Sequence, residues 1–409
     1  MSRACEIGRG NRSLRRVLCV LVLASACAGS APTTPEPAST PASSLALVGG
    51  TLIDGTGAAP VADGVVVTSG NRIVAAGPRA TVAIPAAATV VDVRGGAILP
   101  GFVNAHVHDA FDAPRLRAWA QAGVTTVRDM AIPRAGPGVL ESLMTLRATT
   151  LNVPANARLV SVGFGVTVHN GYGDVGACIA TPEEARQMVE RQFDLGVDLA
   201  KVFLEPGIAG VTDLPLLPPE TIAAVVTAAH GRGKRVTAHV TRAWALRQVF
   251  EAGVDDAAHM PHVPLPDDLV EEMVASGFVI TATLTVHEAY GALPSTASNL
   301  GRFVAAGGQV ALGNDYTSVP PNGFDHFELG MPMHEITRMR EAGMTPMQIV
   351  VAGTKTAARV CGLERELGTL AAGRIADVLV VDGDPLADLS ALTRVRLVVH
   401  DGVVIRGSS

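Results

Sequence analysis

Two rhythms of apolar residues divide the chain. From residue 45 to 93, short Val/Ile/Leu runs are broken by Asp-Gly, Ser-Gly and Gly-Pro pairs, the pattern of strands joined by tight turns. Residues 45–48, 64–68 and 72–76 are the predicted strands there. Residues 376–382, 394–400 and 403–405 repeat that character at the far end. The economical interpretation is a small β-sandwich domain built from both chain ends, residues 45–97 plus 366–409.

Between them the rhythm changes. After an opening strand, apolar runs at 125–128, 158–162, 199–204, 235–240, 255–259, 278–284 and 310–315 alternate with helix-like segments. Thr181-Pro-Glu-Glu184 has the form of a capping box with Pro at the first helical position. Thr345-Pro346 opens the segment 347–360 in the same way. Eight strands, each followed by a helical segment, predict an α/β fold, a (β/α)8 TIM barrel over residues 98–365. An open doubly wound sheet is the alternative. It would need a Gly-x-Gly-x-x-Gly after a strand, and Gly163-Phe-Gly165 is only a fragment of one.

Residues 1–26 have the pattern of an export signal. An Arg-bearing start is followed by Val17-Leu-Cys-Val-Leu-Val-Leu23 and then Ala24-Ser-Ala26, a small-residue cleavage site. The apolar run is too short to span a bilayer, which takes about 20 residues. Leu23-Ala-Ser-Ala-Cys27 also resembles a bacterial lipobox, which would place a diacylglyceryl anchor on Cys27. Residues 27–44, rich in Pro, Thr, Ser and Ala, form a flexible tether in this reading. The expected location is outside the cytoplasm, periplasmic or held at the membrane through Cys27, with plain secretion as the alternative.

Formal charge is −6, and removing residues 1–26 with their five Arg and one Glu makes it −10. That balance argues against a nucleic-acid partner, which needs a basic footprint. After signal removal the cysteines are Cys27, Cys178 and Cys361. These make no disulfide framework and no Cys-x-x-Cys motif, so Cys178 and Cys361 are expected to be buried thiols. Only three of the 32 basic residues are Lys: Lys201, Lys234 and Lys355. Lys can lose its proton and act as a nucleophile, whereas Arg stays charged, so a retained Lys draws attention.

Barrel active sites lie at the C-terminal ends of the strands. His106-Val-His108 closes the first strand, and on a strand i and i+2 face the same way, so both imidazoles can reach one metal ion. Lys201, His239 and His259 fall on strands four, five and six, and Leu312-Gly-Asn-Asp315 ends strand eight. Each alone has an ordinary structural reading: a packed core His, an Asp at a turn, a Lys snorkelling to the surface. Six such groups in register at one mouth are harder to explain that way.

This constellation resembles the amidohydrolase superfamily of metal-dependent hydrolases. The resemblance rests on Asp54-Gly-Thr-Gly57, Leu99-Pro-Gly101, His106-Val-His108, Gly123-Val-Thr-Thr-Val-Arg-Asp129, Glu341-Ala-Gly-Met-Thr-Pro-Met347 and the tail 367–377. The branch it is most similar to holds imidazolonepropionase-like enzymes and Xaa-Pro or Xaa-Arg dipeptidases. It implies a binuclear centre in which His106, His108 and Asp315 bind one ion and His239 and His259 the other. Lys201, carboxylated by CO2, would bridge them, and Zn2+ suits such ligands, with Mn2+, Co2+ or Fe2+ as alternatives. A water bridging the ions would then attack the carbonyl of an amide-type C–N bond in a small-molecule substrate, with Asp315 shuttling its proton. A lactonase or esterase on the same site, and an inactive barrel used as a binding module, are the competing readings. The resemblance is compatible with a homo-oligomer, although no stretch specifies an interface.

Substrate contacts depart from the branch. Its dipeptidase-like members carry a Gly-Gly-His-Gly run after strand three, where this chain has Val168-His-Asn-Gly-Tyr-Gly173. Tyr172 replaces that His, and His169 stands three residues earlier. Both are candidate substrate contacts, as are His262 and His287 near the mouth. After Lys201 the usual Gly-Gly turn is replaced by Phe203-Leu-Glu-Pro-Gly207, which opens a long loop, a lid or an insertion.

Overall fold

The structure, a computed structural model, describes residues 44–132, 136, 138–173, 179–208 and 210–407. The export signal, nearly all of the tether, Cys27 and Cys178 lie outside the described residues. The strands in chain order are β1 (Ser44–Leu52), β2 (Val61–Ser69), β3 (Arg72–Pro78), β4 (Thr89–Asp92), β5 (Gly96–Pro100), β6 (Phe102–Val107), β7 (Val124–Asp129), β8 (Arg158–Ser161), β9 (Ala200–Phe203), β10 (Val236–His239), β11 (Asp256–Ala257), β12 (Val279–Thr281), β13 (Gln309–Ala311), β14 (Val378–Asp382), β15 (Val395–His400) and β16 (Val403–Arg406).

Strands β1–β5 and β14–β16 make one hydrogen-bonded sheet from both chain ends. It folds over a shared core that takes Leu47, Val66 and Ile73 from one arm and Ile98, Val380 and Leu397 from the other. The sandwich is therefore a single sheet branched at β1. The first half of β1 pairs with β4 and its last residues with β5. The register of β1 against β2 shifts on either side of Gly50, and such a bulge lets one strand bend between two neighbours.

Strands β6–β13 are the eight strands of a parallel barrel. β6–β7–β8 and β9–β10–β11–β12–β13 form continuous parallel ladders. Between β8 and β9, Val166 N–H donates to Lys201 O at 2.7 Å and Phe203 N–H to Val166 O at 3.0 Å. Between β13 and β6, Ala105 N–H donates to Leu312 O at 2.8 Å and His108 N–H to Tyr316 O at 2.7 Å. These bonds close both seams. Helices follow each strand, from Ala113–Gln121 after β6 to Met333–Glu341 after β13. Thr345 makes the full capping box with Gln348. Thr181 caps Glu184 N–H, but the Glu184 carboxylate reaches back one residue further, to Ala180 N–H.

Six barrel strands are shorter than predicted, and three of them lose two or more residues at the C-terminal end. β11, β12 and β13 end before His259, Thr283 and Asp315, where the sequence pattern continues them. Thr283 and Asp315 both adopt left-handed backbone, φ 50° and 55°, which ends a ladder. The strand ends are bent to aim side chains. Two glycines allow close passage: a Cβ at Gly101 would lie 2.3 Å from Thr125, and one at Gly313 would lie 2.7 Å from the His106 Cβ. Cys361 is buried, and burial pushes its thiol up to about 12.

Candidate metal centre

Strand β6 carries His106 into the closed floor of the barrel mouth, where the side chain is fully buried. Its Nδ1 lies 3.0 Å from Ala258 O. A carbonyl only accepts, so Nδ1 holds the proton and Nε2 presents a lone pair. That Nε2 lies 3.0 Å from Asp315 Oδ1, and His108 Nε2 lies 3.1 Å from the same oxygen. Burial pushes His106 down to about 4. Burial opposes ionisation of Asp315, but the His106 and His108 imidazoles outweigh it and hold the carboxyl well below the usual range. His106 Nε2 and Asp315 Oδ1 thus face each other as two acceptors, each buried without a hydrogen-bond partner.

The second pair follows from β10 and β11. His239, at the end of β10, and His259, two residues past β11, have ring centroids 4.5 Å apart, and His259 lies 4.7 Å from His106. His259 Nδ1 lies 2.8 Å from Thr283 Oγ1. His239 Nε2 is buried and unpartnered. Burial drives both rings far below their ordinary value, so both are neutral and have a lone pair to offer a metal ion. Donor atoms of His106, His259 and Asp315 all fall within 4.8 Å of one another, so this cluster takes members from both implied ion sites. Lys201 is buried on β9 with its Nζ 4.7 Å from the Phe203 ring centroid, and burial lowers it to about 8. His108, Lys201, His239, His259 and Asp315 line one cavity of about 390 Å3, with His106 beneath. Neutral imidazoles, an ionised carboxylate and orphaned lone pairs converging on a buried point fit divalent cations.

Of the candidate substrate contacts, Tyr172, His262 and His287 line an adjoining cavity of about 330 Å3 beside His239, His259 and Asp315. Tyr172 stacks on His239 at 4.4 Å and 24°. His169 is exposed on the same loop and lines neither cavity. The loop after β9 contributes Ile208 to the cavity wall and buries Leu217. His230, His334 and His400 are held elsewhere, on Asp255, Glu288 and Pro154 O.

Sequence reasoning did not pick out several residues that support the centre. Arg128 is fully buried and forks onto Asp256 at 3.0 and 3.1 Å, with Nε donating to Ala105 O at 2.6 Å. It ties β6, β7 and β11 together inside the barrel. Asn104 donates to Asn314 Oδ1 at 2.8 Å, holding β6 against the Asp315 segment. Glu335 is buried and accepts from Leu284 N–H, Thr285 N–H and Thr285 Oγ1 at 2.7–2.8 Å. It anchors the turn that presents Thr283 to His259. Glu205 and Arg242 stand behind and beside the second cavity. Arg128 lies inside the 123–129 run quoted above, but nothing local in the sequence shows what these residues hold, because Arg128, Asn104 and Glu335 work through partners 23 to 232 positions away.

The amidohydrolase family model matches residues 97–405. An imidazolonepropionase from Symbiobacterium thermophilum is 27% identical over 381 residues, covering 79% of this chain and 85% of that protein. A 5-methylthioadenosine/S-adenosylhomocysteine deaminase from the same organism is 26% identical, covering 83% and 85%. By structure, a Xaa-Pro dipeptidase with methionine bound in its active site aligns with a TM-score of 0.77 at 21% identity, covering 89% of this chain and all of that one. That likeness establishes the fold, a TIM barrel with a small domain. The chain belongs to the amidohydrolase family, as a hydrolase acting on carbon–nitrogen bonds whose sequence relatives include the imidazolonepropionase-like enzymes.

Proposed function

We propose that the chain hydrolyses an amide-type C–N bond, in a peptide, an acyl-amino acid or a lactam, at a centre of two divalent metal ions. The observation that carries this is the meeting of the His106 Nε2 lone pair with Asp315 Oδ1 at 3.0 Å in a buried site, with His108 Nε2 3.1 Å from the same oxygen. Two facing acceptors in a buried site repel unless a cation separates them. His106, His108 and Asp315 would hold one ion and His239 and His259 the other, with Zn2+ the best match to nitrogen and oxygen donors. When bound, such ions supply an acidified water and Lewis-acid polarisation of the scissile carbonyl.

The protein's own groups divide the remaining work. Lys201 in this reading is a carbamate. Its neutral amine adds to CO2, a nitrogen–carbon bond forms, and one proton is released. Burial favours that reaction: lowering the amine from 10.5 to about 8 raises its neutral fraction near pH 7 about 300-fold. Asp315 accepts the proton of the attacking water and passes it to the leaving nitrogen. Thr283 orients His259, and Ala258 O orients His106, as outer partners of ligating histidines do.

The test is hydrolysis by metal-loaded protein lacking residues 1–26. The panel holds Xaa-Pro, Xaa-Arg and hydrophobic dipeptides, N-acyl amino acids, lactams and lactones. Turnover of C–N substrates, lost in Asp315→Asn, is expected. Unchanged turnover in that variant would contradict the role of Asp315, and turnover confined to lactones would overturn the bond assignment. We also propose export with lipidation at Cys27, supported by the signal-like pattern of residues 1–26. Radiolabelled palmitate incorporation, abolished by Cys27→Ala, would support it, and a mature chain without lipid would leave secretion.

A further inference from the structure

We infer that a separate cavity at the base of the barrel binds an organic phosphate, with Lys355, Arg359 and Arg374 on the phosphate and a Met/Val wall against its apolar body.

The cavity measures about 710 Å3, larger than either cavity at the mouth. That volume is within the range of small-molecule sites. It lies at the other end of the strand that leads to Asp315. Gly308 and Gln309 line it where β13 begins, whereas Asp315 stands past the end of that strand. Three of the stretches that carry the family resemblance meet there, residues 54–57, 341–347 and 367–377, and none of them takes part in the metal chemistry. Close backbone contacts pin the walls together. A Cβ at Gly55 would lie 2.5 Å from Gly368 O, and one at Gly368 would lie 2.8 Å from Lys355 Cα. Lys355 itself belongs to a π-helical turn, Ala352–Thr356, between two α-helical segments. Helices often carry such breaks at functional positions.

Charge sets this cavity apart from the rest of the surface. Lys355, Arg359 and Arg374 all line it, and none of the three forms an ion pair with a described residue. Elsewhere the chain neutralises its partly exposed cations. Arg186, Arg247 and Arg338 each meet at least two carboxylates. Three unpaired cations in one place run against a chain whose 38 acidic residues outnumber 32 basic ones. Glu364 is the one acidic residue among the described lining residues, and Arg235, which does not line the cavity, already donates to it at 2.7 Å. Arg359 spends one N–H on Gln309 Oε1 at 2.9 Å, and Arg374 spends one on Glu364 O. A guanidinium has five such donors, so most of them, and the whole Lys355 ammonium, remain unspent within the protein.

Three cations favour a dianion over a monoanion. A phosphate monoester carries close to two negative charges at pH 7 and offers three strong acceptor oxygens, which Arg and Lys bind well. Val304, Met344, Met347 and Val351 on the same wall would cover an apolar or aromatic group attached to that phosphate.

The test is isothermal titration of the metal-loaded protein with phenyl phosphate, inorganic phosphate and benzoate. Phenyl phosphate is expected to bind about tenfold or more tightly than either of the others, which lack its apolar body or its second charge. Lys355→Gln and Arg359→Gln should each weaken it by about tenfold to a hundredfold, the range of a charge-assisted pair. Lys355 is exposed, so its variant should fold as the parent does. Asp315→Asn, at the far end of the barrel, should leave the binding unchanged. No binding of phenyl phosphate, or binding indifferent to both cation variants, overturns the site. Binding lost in Asp315→Asn and retained in Lys355→Gln would place the phosphate on the metal ions and overturn it equally. Inorganic phosphate or benzoate binding as tightly as phenyl phosphate would overturn the assignment to an organic phosphate.

Discussion

The metal floor and the substrate wall sit side by side at one barrel mouth, yet they are fixed by different means. The floor is held by backbone. His106 and Lys201 lie on β6 and β9, His239 ends β10, and Ala258 O and the Asp315 N–H to His106 O bond at 3.0 Å lock the rest. The wall is held by side chains from connections. Tyr172 comes from the loop after β8, Ile208 from the loop after β9, Arg242 from a helix start, and His287 from the helix Leu284–Ala289. A strand end moves only if the barrel moves, whereas a loop changes without disturbing the ladder. The family's chemistry can stay constant on the floor while the wall sets the substrate.

That contrast breaks most plainly at Lys201. Lys201→Met should lower kcat/KM by on the order of a thousandfold or more, because groups acting as a unit fail together. Loss at Arg242, on the wall, should be smaller and differ from substrate to substrate. A Lys201 variant that loses less than the Arg242 variant would show that wall and floor have been misassigned.

The floor should also be the costlier part to disturb structurally. Arg128→Met leaves Asp256 buried without its guanidinium, and breaking a buried pair costs about 3–5 kcal/mol. Urea unfolding measures this. A loss under about 1 kcal/mol would mean that Thr237, which donates to Asp256 at 2.7 Å, satisfies the carboxylate by itself.

The smallest expected effect concerns Glu335, which joins the two regions through the Thr283 turn. Burial raises its carboxyl from 4.5 to about 7. The folded chain therefore holds an extra proton between those pH values. The resulting stability is fully present below pH 4.5 and is lost as pH rises towards 7. Glu335→Gln should flatten the decline between pH 5 and 7 by about 1–2 kcal/mol. An unchanged slope would show that its three donors keep Glu335 ionised throughout.

The sequence was legible wherever the local pattern and the function coincide. All eight barrel strands follow apolar runs, and the His-x-His pair needs only the two-residue period of a strand to converge. The ends of β11, β12 and β13 were overextended, because the pattern cannot reveal that Thr283 and Asp315 turn left-handed to aim side chains. The branching of the small sheet at β1 was hidden for a similar reason, since a Gly-Gly pair looks like any turn. His169 and Tyr172 looked equivalent on their loop, and only the tertiary fold turns Tyr172 inwards. Arg128 and Glu205 stand inside runs the sequence marks, yet their burial, like that of Glu335, emerges only when distant elements meet.

The most direct test of the account is the metal content of the purified, reconstituted chain, read by plasma mass spectrometry together with 13C NMR after incubation in 13CO2. Two divalent ions per chain and a carbamate resonance, both reduced in Lys201→Met, are the expected result. One ion per chain with no carbamate, unchanged in that variant, would contradict the bridged two-ion centre.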